Sequence, residues 1–243
     1  MIYPTNGIVL RTIKYGETSV VVNIFTALFG IQSYLVNGVR SSGKTTKAHF
    51  FQPTSMLELE VYHNELKNLQ RIKEFRWSYL YKNLWRDVVK NSVALYMIEL
   101  LQKGLKQPEN NPELFYFCED AFEQLDLAGE TVTANFPLYF CLNLAYFFGL
   151  KLEDTWSENR SILDLQDGTF IQHTPDHPHF LDGNNSFSIS QLLKAQHPDE
   201  LGQIKLNKTI RKELLSALQL YYSLHIQDFG LMKTLPVLHE LLS

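Results

Sequence analysis

The sequence predicts an α+β protein: a small five-stranded β-barrel, then an α-helical bundle that carries a small β-hairpin insertion. Three observations carry this reading. Short apolar runs with alternating character fill residues 1–82. The apolar period then lengthens to that of a helix. Near residues 155–185 the helical pattern breaks once, around a hairpin signal.

Strands are expected near 7–14, 19–26, 31–37, 55–63 and 68–75, each rich in Val, Ile, Leu, Phe, Tyr or Thr. Tyr15-Gly16-Glu17, Phe29-Gly30 and Asn37-Gly38 separate them as turns. Leu57, Leu59 and Val61 alternate with Glu58, Glu60 and Tyr62, as a half-buried strand requires. Short strands at this spacing suit the five-stranded OB-fold, a common frame for nucleic-acid binding.

After residue 82, Val89, Val93, Tyr96, Met97, Leu100 and Leu101 share one helix face. Asn110-Asn111-Pro112-Glu113 reads as a helix start, with the helix running to about Leu127. Asn135-Phe136-Pro137 reads as the opening of another, closed by Gly149. Ile162–Leu165 and Thr169–Ile171 flank Gln166-Asp167-Gly168 as a hairpin, and Pro175, Pro178 and Gly183 predict irregular chain after it. Helices are expected again near 189–197, 207–227 and 234–242. The domains are therefore 1–82, a barrel, and 83–243, a helical part with an insertion at about 155–185.

Apolar residues make up 45% and charged residues 20% of the 243, enough to build a core without metal or disulfide staples. Cys118 and Cys141 lie in apolar stretches and are expected to be buried, reduced thiols. The N-terminus lacks the basic start and apolar run of a signal peptide, and Phe136–Leu150 is too short to span a bilayer. A cytoplasmic protein is expected. The net charge of −4 divides unevenly. Residues 1–82 hold ten Lys/Arg against five Asp/Glu, and the remainder twelve against twenty-one. A basic barrel on an acidic body points to a localised polyanion site.

Gly38-Val39-Arg40-Ser41-Ser42-Gly43-Lys44-Thr45 fits the P-loop pattern letter for letter. A P-loop needs a helix immediately after it, to aim backbone N–H groups at phosphate. Here Pro53 follows eight residues after Thr45, and then a strand. The segment reads better as a basic loop, carrying Arg40, Lys44 and Lys47, that wraps a phosphate backbone. Arg11, Lys14, Arg71, Lys73 and Arg76 extend the candidate DNA-binding set along the strands. Trp77, Tyr79 and Tyr81 either stack on bases or pack between the two domains. His173, His177 and His179, with Asp176, could be imagined as metal ligands, but their spacing fits no known ligand pattern. No catalytic constellation stands out, and no enzyme activity or cofactor is expected.

The N-terminal residues resemble the RecO family of recombination mediators. The likeness lies in Gly7-Ile8-Val9-Leu10-Arg11-Thr12, Tyr15-Gly16-Glu17, Phe25-Thr26 followed by Gly30, and Val36-Asn37-Gly38-Val39-Arg40. Gln52-Pro53 and Leu57-Glu58-Leu59-Glu60-Val61-Tyr62 continue it in order. Asn135-Phe136 through Gly149-Leu150 resembles the family's central helix. The resemblance implies an OB-fold before a helical domain, binding of single- and double-stranded DNA, strand annealing, and help in loading RecA. Implied partners are RecR and the acidic tail of single-strand-binding protein. Many members carry a four-cysteine zinc module; this chain has two cysteines, neither in that place. The rival readings are a peptide-binding adaptor built on the barrel and, less well supported, a P-loop nucleotide hydrolase.

Overall fold

A computed structural model describes residues 1–39, 47–105 and 110–242. The expected strands form: β1 (Ile2–Tyr15), β2 (Ser19–Thr26), β3 (Gly30–Val36), β4 (Met56–Tyr62) and β5 (Leu69–Tyr79). They close into a barrel of order β1-β2-β3-β5-β4. All neighbours run antiparallel except β3 and β5, which are parallel. This is the architecture of an OB-fold.

Closure depends on β1, which pairs with β4 through residues 2–8 and with β2 through residues 7–15. Gly7 sits where both ladders meet, opposite Thr26 and Leu57. A Cβ there would stand 2.6 Å from Ile24 Cγ2 and 2.9 Å from Leu59 Cδ1, so a side chain would force the strands apart. A register shift between Val9 and Arg11 bends the strand further. Val9, Val22, Ile24, Tyr34, Leu57 and Val61 are fully enclosed in the barrel core.

Contacts group the chain into two compact units, Met1–Lys82 with Leu105–Glu123, and Asn83–Gly104 with Gln124–Ser243. The first unit therefore takes in most of helix α2 (Pro112–Leu127). Phe115 meets Phe25 of β2 edge-on at 5.5 Å, and Asn6 Nδ2 donates to Glu119 Oε1 at 3.3 Å. Phe25 lies fully buried because this helix covers it.

The second unit holds α1 (Val88–Gly104), α3 (Glu130–Phe147), α4 (Gly183–Lys194), α5 (Lys208–His225) and α6 (Leu235–Leu241). Tyr96, Met97, Leu100, Phe136, Phe140, Leu144, Leu214 and Tyr222 are enclosed in it. The buried Lys90 donates to the Asp126 carbonyl at 2.7 Å, while the Asp126 carboxylate accepts the Asn83 and Leu84 N–H groups.

Three local expectations are corrected. Helix α3 begins at Glu130, and Pro137 lies inside it rather than at its opening. Proline removes one helical donor and is tolerated at that cost. Asn135 is not a cap but a buried hub: its Nδ2 donates to the Leu201 and Ile204 carbonyls, and its Oδ1 accepts from Arg211 Nε. Helix α4 starts at Gly183, ahead of the expected 189. Ser186 and Ser188 make that stretch read as loop, but their hydroxyls bond to the carbonyls of Ser161 and Asn184. The predicted hairpin, β6 (Ile162–Asp164) and β7 (Thr169–Ile171), gains a third strand, β8 (Phe180–Leu181), in chain expected to be irregular.

Candidate nucleic-acid interface

Directly paired residues point to the same side of a sheet, so the register assigns the barrel's faces. Thr12, Val22, Tyr34 and Gln70 form one row, and the last three are buried. The next row faces outward. It runs Ile13, Val21, Leu35, Arg71 and Tyr62 across β1, β2, β3, β5 and β4. Ile13 is 43% exposed and Tyr62 46%, which is high for such side chains in a folded barrel. A parallel row places Arg11 beside Asn23, Ser33 and Leu69. The Ser33 hydroxyl donates to Asn23 Oδ1 at 3.0 Å.

The candidate cations separate into two groups on this frame. Arg11, Lys14 and Arg71 are exposed and, among the described residues, hold no ion pair. Lys14 shares its row with the buried Val20 and Val36, and stays in water because it stands near the strand's end. Lys73 and Arg76 are matched by carboxylates on β4. Lys73 Nζ lies 2.7 Å from Glu60 and 3.8 Å from Glu74, and Arg76 Nε donates to Glu58 at 2.8 Å. Glu60 accordingly holds the Lys73 ammonium above its ordinary pKa. Such exposed pairs contribute little to stability, but they cancel charge locally.

Lys47 opens a short 3-10 helix, Lys47–Phe51, and its Nζ lies 6.0 Å from the Phe75 ring. Phe50 stacks on Trp77 at 4.6 Å, and Phe51 meets Phe75 edge-on. Tyr79 packs edge-on against Tyr81, whose hydroxyl donates to the Thr54 carbonyl. These aromatics thus pack within the barrel unit. Arg40 and Lys44, with most of the P-loop-like segment, lie outside the described residues. The next α-helix among the described residues begins at Val88.

Sequence reasoning passed over Lys67 and Tyr62. Both line a cavity of about 250 Å³ together with Leu69 and Arg71. Their signal was present in the chain: a lysine in the polar turn before β5, and a tyrosine at the end of β4. What was missing was the register that brings them beside Arg71.

Elsewhere, His177 Nε2 lies 3.3 Å from Asp164 Oδ2, and its Nδ1 accepts the His179 N–H. Among the described residues no group of His, Cys, Asp or Glu is arranged to hold a metal. Burial pushes the Cys141 thiol up to about 12 and the Cys118 thiol well above its usual range, which leaves neither a ready nucleophile. No helix among the described residues is long and apolar enough to cross a membrane.

The structure defines a closed OB-type barrel followed by a helical unit, and comparison with known proteins fixes the family. The family profile described as "Recombination protein O N terminal" matches residues 1–81, and "Recombination protein O C terminal" matches residues 86–234. The chain is 30% identical to DNA repair protein RecO of Azobacteroides pseudotrichonymphae over 240 residues, covering 99% of each chain. It is 32% identical to that of Phocaeicola vulgatus over 243 residues, covering 100% of each. The Christiangramia forsetii protein is 32% identical over 242 residues, with 99% of each covered. The chain belongs to the RecO family and has a role in recombination repair.

Proposed function

We propose that this protein is a recombination mediator that binds single- and double-stranded DNA and anneals complementary strands without covalent chemistry. In this reading it acts in the cytoplasm, helps load RecA together with RecR, and docks on the acidic tail of single-strand-binding protein. Residues 1–82 hold the DNA-binding domain and 83–243 the helical domain. The binding set is Arg11, Lys14, Arg40, Lys44, Lys47, Arg71, Lys73 and Arg76, with Arg11, Lys14 and Arg71 weighted most.

The observation that carries the reading is the outward row through Ile13, Val21, Leu35 and Arg71, beside a second row that begins at Arg11. It joins guanidinium groups that hold no ion pair among the described residues to a half-exposed apolar surface. Cations neutralise phosphate and release its counterions. Apolar and aromatic surface contacts base faces without reading sequence. Two strands held loosely on one protein meet at a raised effective concentration and pair. No step needs a nucleophile or a proton transfer, in keeping with the buried thiols.

Fluorescence anisotropy with labelled single strands across a salt series tests the reading. The logarithm of affinity should fall with log salt by about 0.7 per phosphate neutralised. Complementary strands should anneal without ATP. On strands coated with single-strand-binding protein, deleting that protein's acidic tail should slow annealing while naked strands are unaffected. Salt-independent binding, or annealing no faster than without protein, would overturn the proposal and favour a peptide-binding adaptor.

A further inference from the structure

We propose that the β4–β5 loop, residues 63–68, is a preformed subsite for one nucleotide of a single strand, with Leu66 as an apolar wedge and Gln70 as the residue that holds the loop in shape. This rests on the DNA-binding reading above and gives it a specific contact.

Gln70 is 3% exposed, and its carboxamide faces the loop from the barrel side. It accepts the Asn64 N–H at 3.0 Å and donates to the carbonyls of Asn64 at 2.9 Å and Lys67 at 2.5 Å. Asn64 adds its own contacts: Oδ1 accepts the Leu66 N–H at 2.9 Å, and its carbonyl accepts the Lys67 N–H at 3.0 Å. A loop with this many backbone groups satisfied is ordered before any ligand arrives, so binding loses less entropy.

This ordered loop presents Leu66 at 95% exposure. A lone surface leucine is ordinary. Here, however, the next residue, Lys67, lines the cavity of about 250 Å³ shared with Tyr62, Leu69 and Arg71. Tyr62 is 46% exposed and Leu69 39%, and neither Lys67 nor Arg71 has an ion-pair partner among the described residues. The chemistry matches a nucleotide: a base lies on Tyr62 and Leu69, and its phosphates meet Lys67 and Arg71. Leu66 then inserts against the neighbouring base and parts it from the first, as apolar wedges do between base steps. The exposed Glu65 repels phosphate and directs the backbone to the Lys67 side. A single strand yields to the wedge more readily than a duplex, which would have to unstack and unpair.

The test uses the full chain and a single strand carrying adjacent 2-aminopurines, whose fluorescence rises on unstacking. The parent should raise it. Leu66→Ala should abolish most of the rise and weaken binding by about five- to tenfold, the scale of losing a leucine side chain partly buried against a base. The salt slope should stay the same, because no charge is removed. Tyr62→Ala should weaken binding similarly. Gln70→Glu keeps one acceptor but loses both donors. It should speed amide exchange at Asn64, Leu66 and Lys67 while thermal melting confirms the barrel still folds. If Leu66→Ala binds and unstacks like the parent while Arg71→Glu weakens binding, the wedge is wrong and the DNA reading stands. If loop exchange in Gln70→Glu matches the parent, the positioning role is wrong. A parent without salt-dependent binding overturns both readings.

Discussion

Arg71 and Lys73 lie two positions apart on β5, yet the barrel treats them oppositely. Arg71 pairs in register with Leu35 of β3 and Tyr62 of β4, so its cross-strand neighbours are apolar or aromatic, and among the described residues it holds no ion pair. Lys73 falls at a register irregularity and lies against Glu60 and Glu74, and Arg76 beyond it lies against Glu58. Among the described residues, one flank of the barrel thus leaves its cations without a carboxylate, while the other pairs them. Counting basic residues along a chain overstates a binding site unless the partner strand is known.

The contrast is broken most directly on the open flank. Reversing Arg11, Lys14 and Arg71 together to Glu should lower single-strand affinity about a hundredfold near 0.1 M salt and flatten the salt slope by about 2. Anisotropy titrations measure both. An affinity within twofold of the parent would place the DNA elsewhere.

The paired flank should respond in the opposite direction. Glu58→Gln with Glu60→Gln releases Arg76 and Lys73, and should raise affinity about three- to tenfold with a slope steeper by about 1. Unchanged affinity would mean that DNA never reaches this flank and would remove Lys73 and Arg76 from the binding set.

A double-mutant cycle on Lys73 and Glu60, read by denaturant melts, should give a coupling no larger than that of other exposed surface pairs. A larger value would make the pair structural rather than a local charge sink.

The smallest expected effect is with pH. Glu60 raises the Lys73 pKa, so the pair's contribution is complete below the ordinary lysine pKa of about 10.4 and is lost only as pH rises through the raised value. The coupling should therefore be flat between pH 6 and 9. A decline within that window would show that Lys73 loses its proton early and that the carboxylate does not hold it.

The sequence by itself determined the strands, the change to helical period, the hairpin and the basic bias of residues 1–82. Each of these is local: alternation at period 2, an apolar face at period 3.6, glycine at turns, and a count of charges. Tertiary structure decided which charges are free. It placed Arg71 beside Tyr62 and Lys73 beside Glu60, although all four were visible in the chain. It also turned Trp77 onto Phe50 and placed Asn135, which reads as a helix start, among the Leu201, Ile204 and Arg211 groups. Residues 105–123 read as part of the helical half, yet they group with the barrel through Phe115 on Phe25. The reason is common to all these cases. Periodicity states which face of an element is apolar, but register and packing across distant segments choose what that face meets.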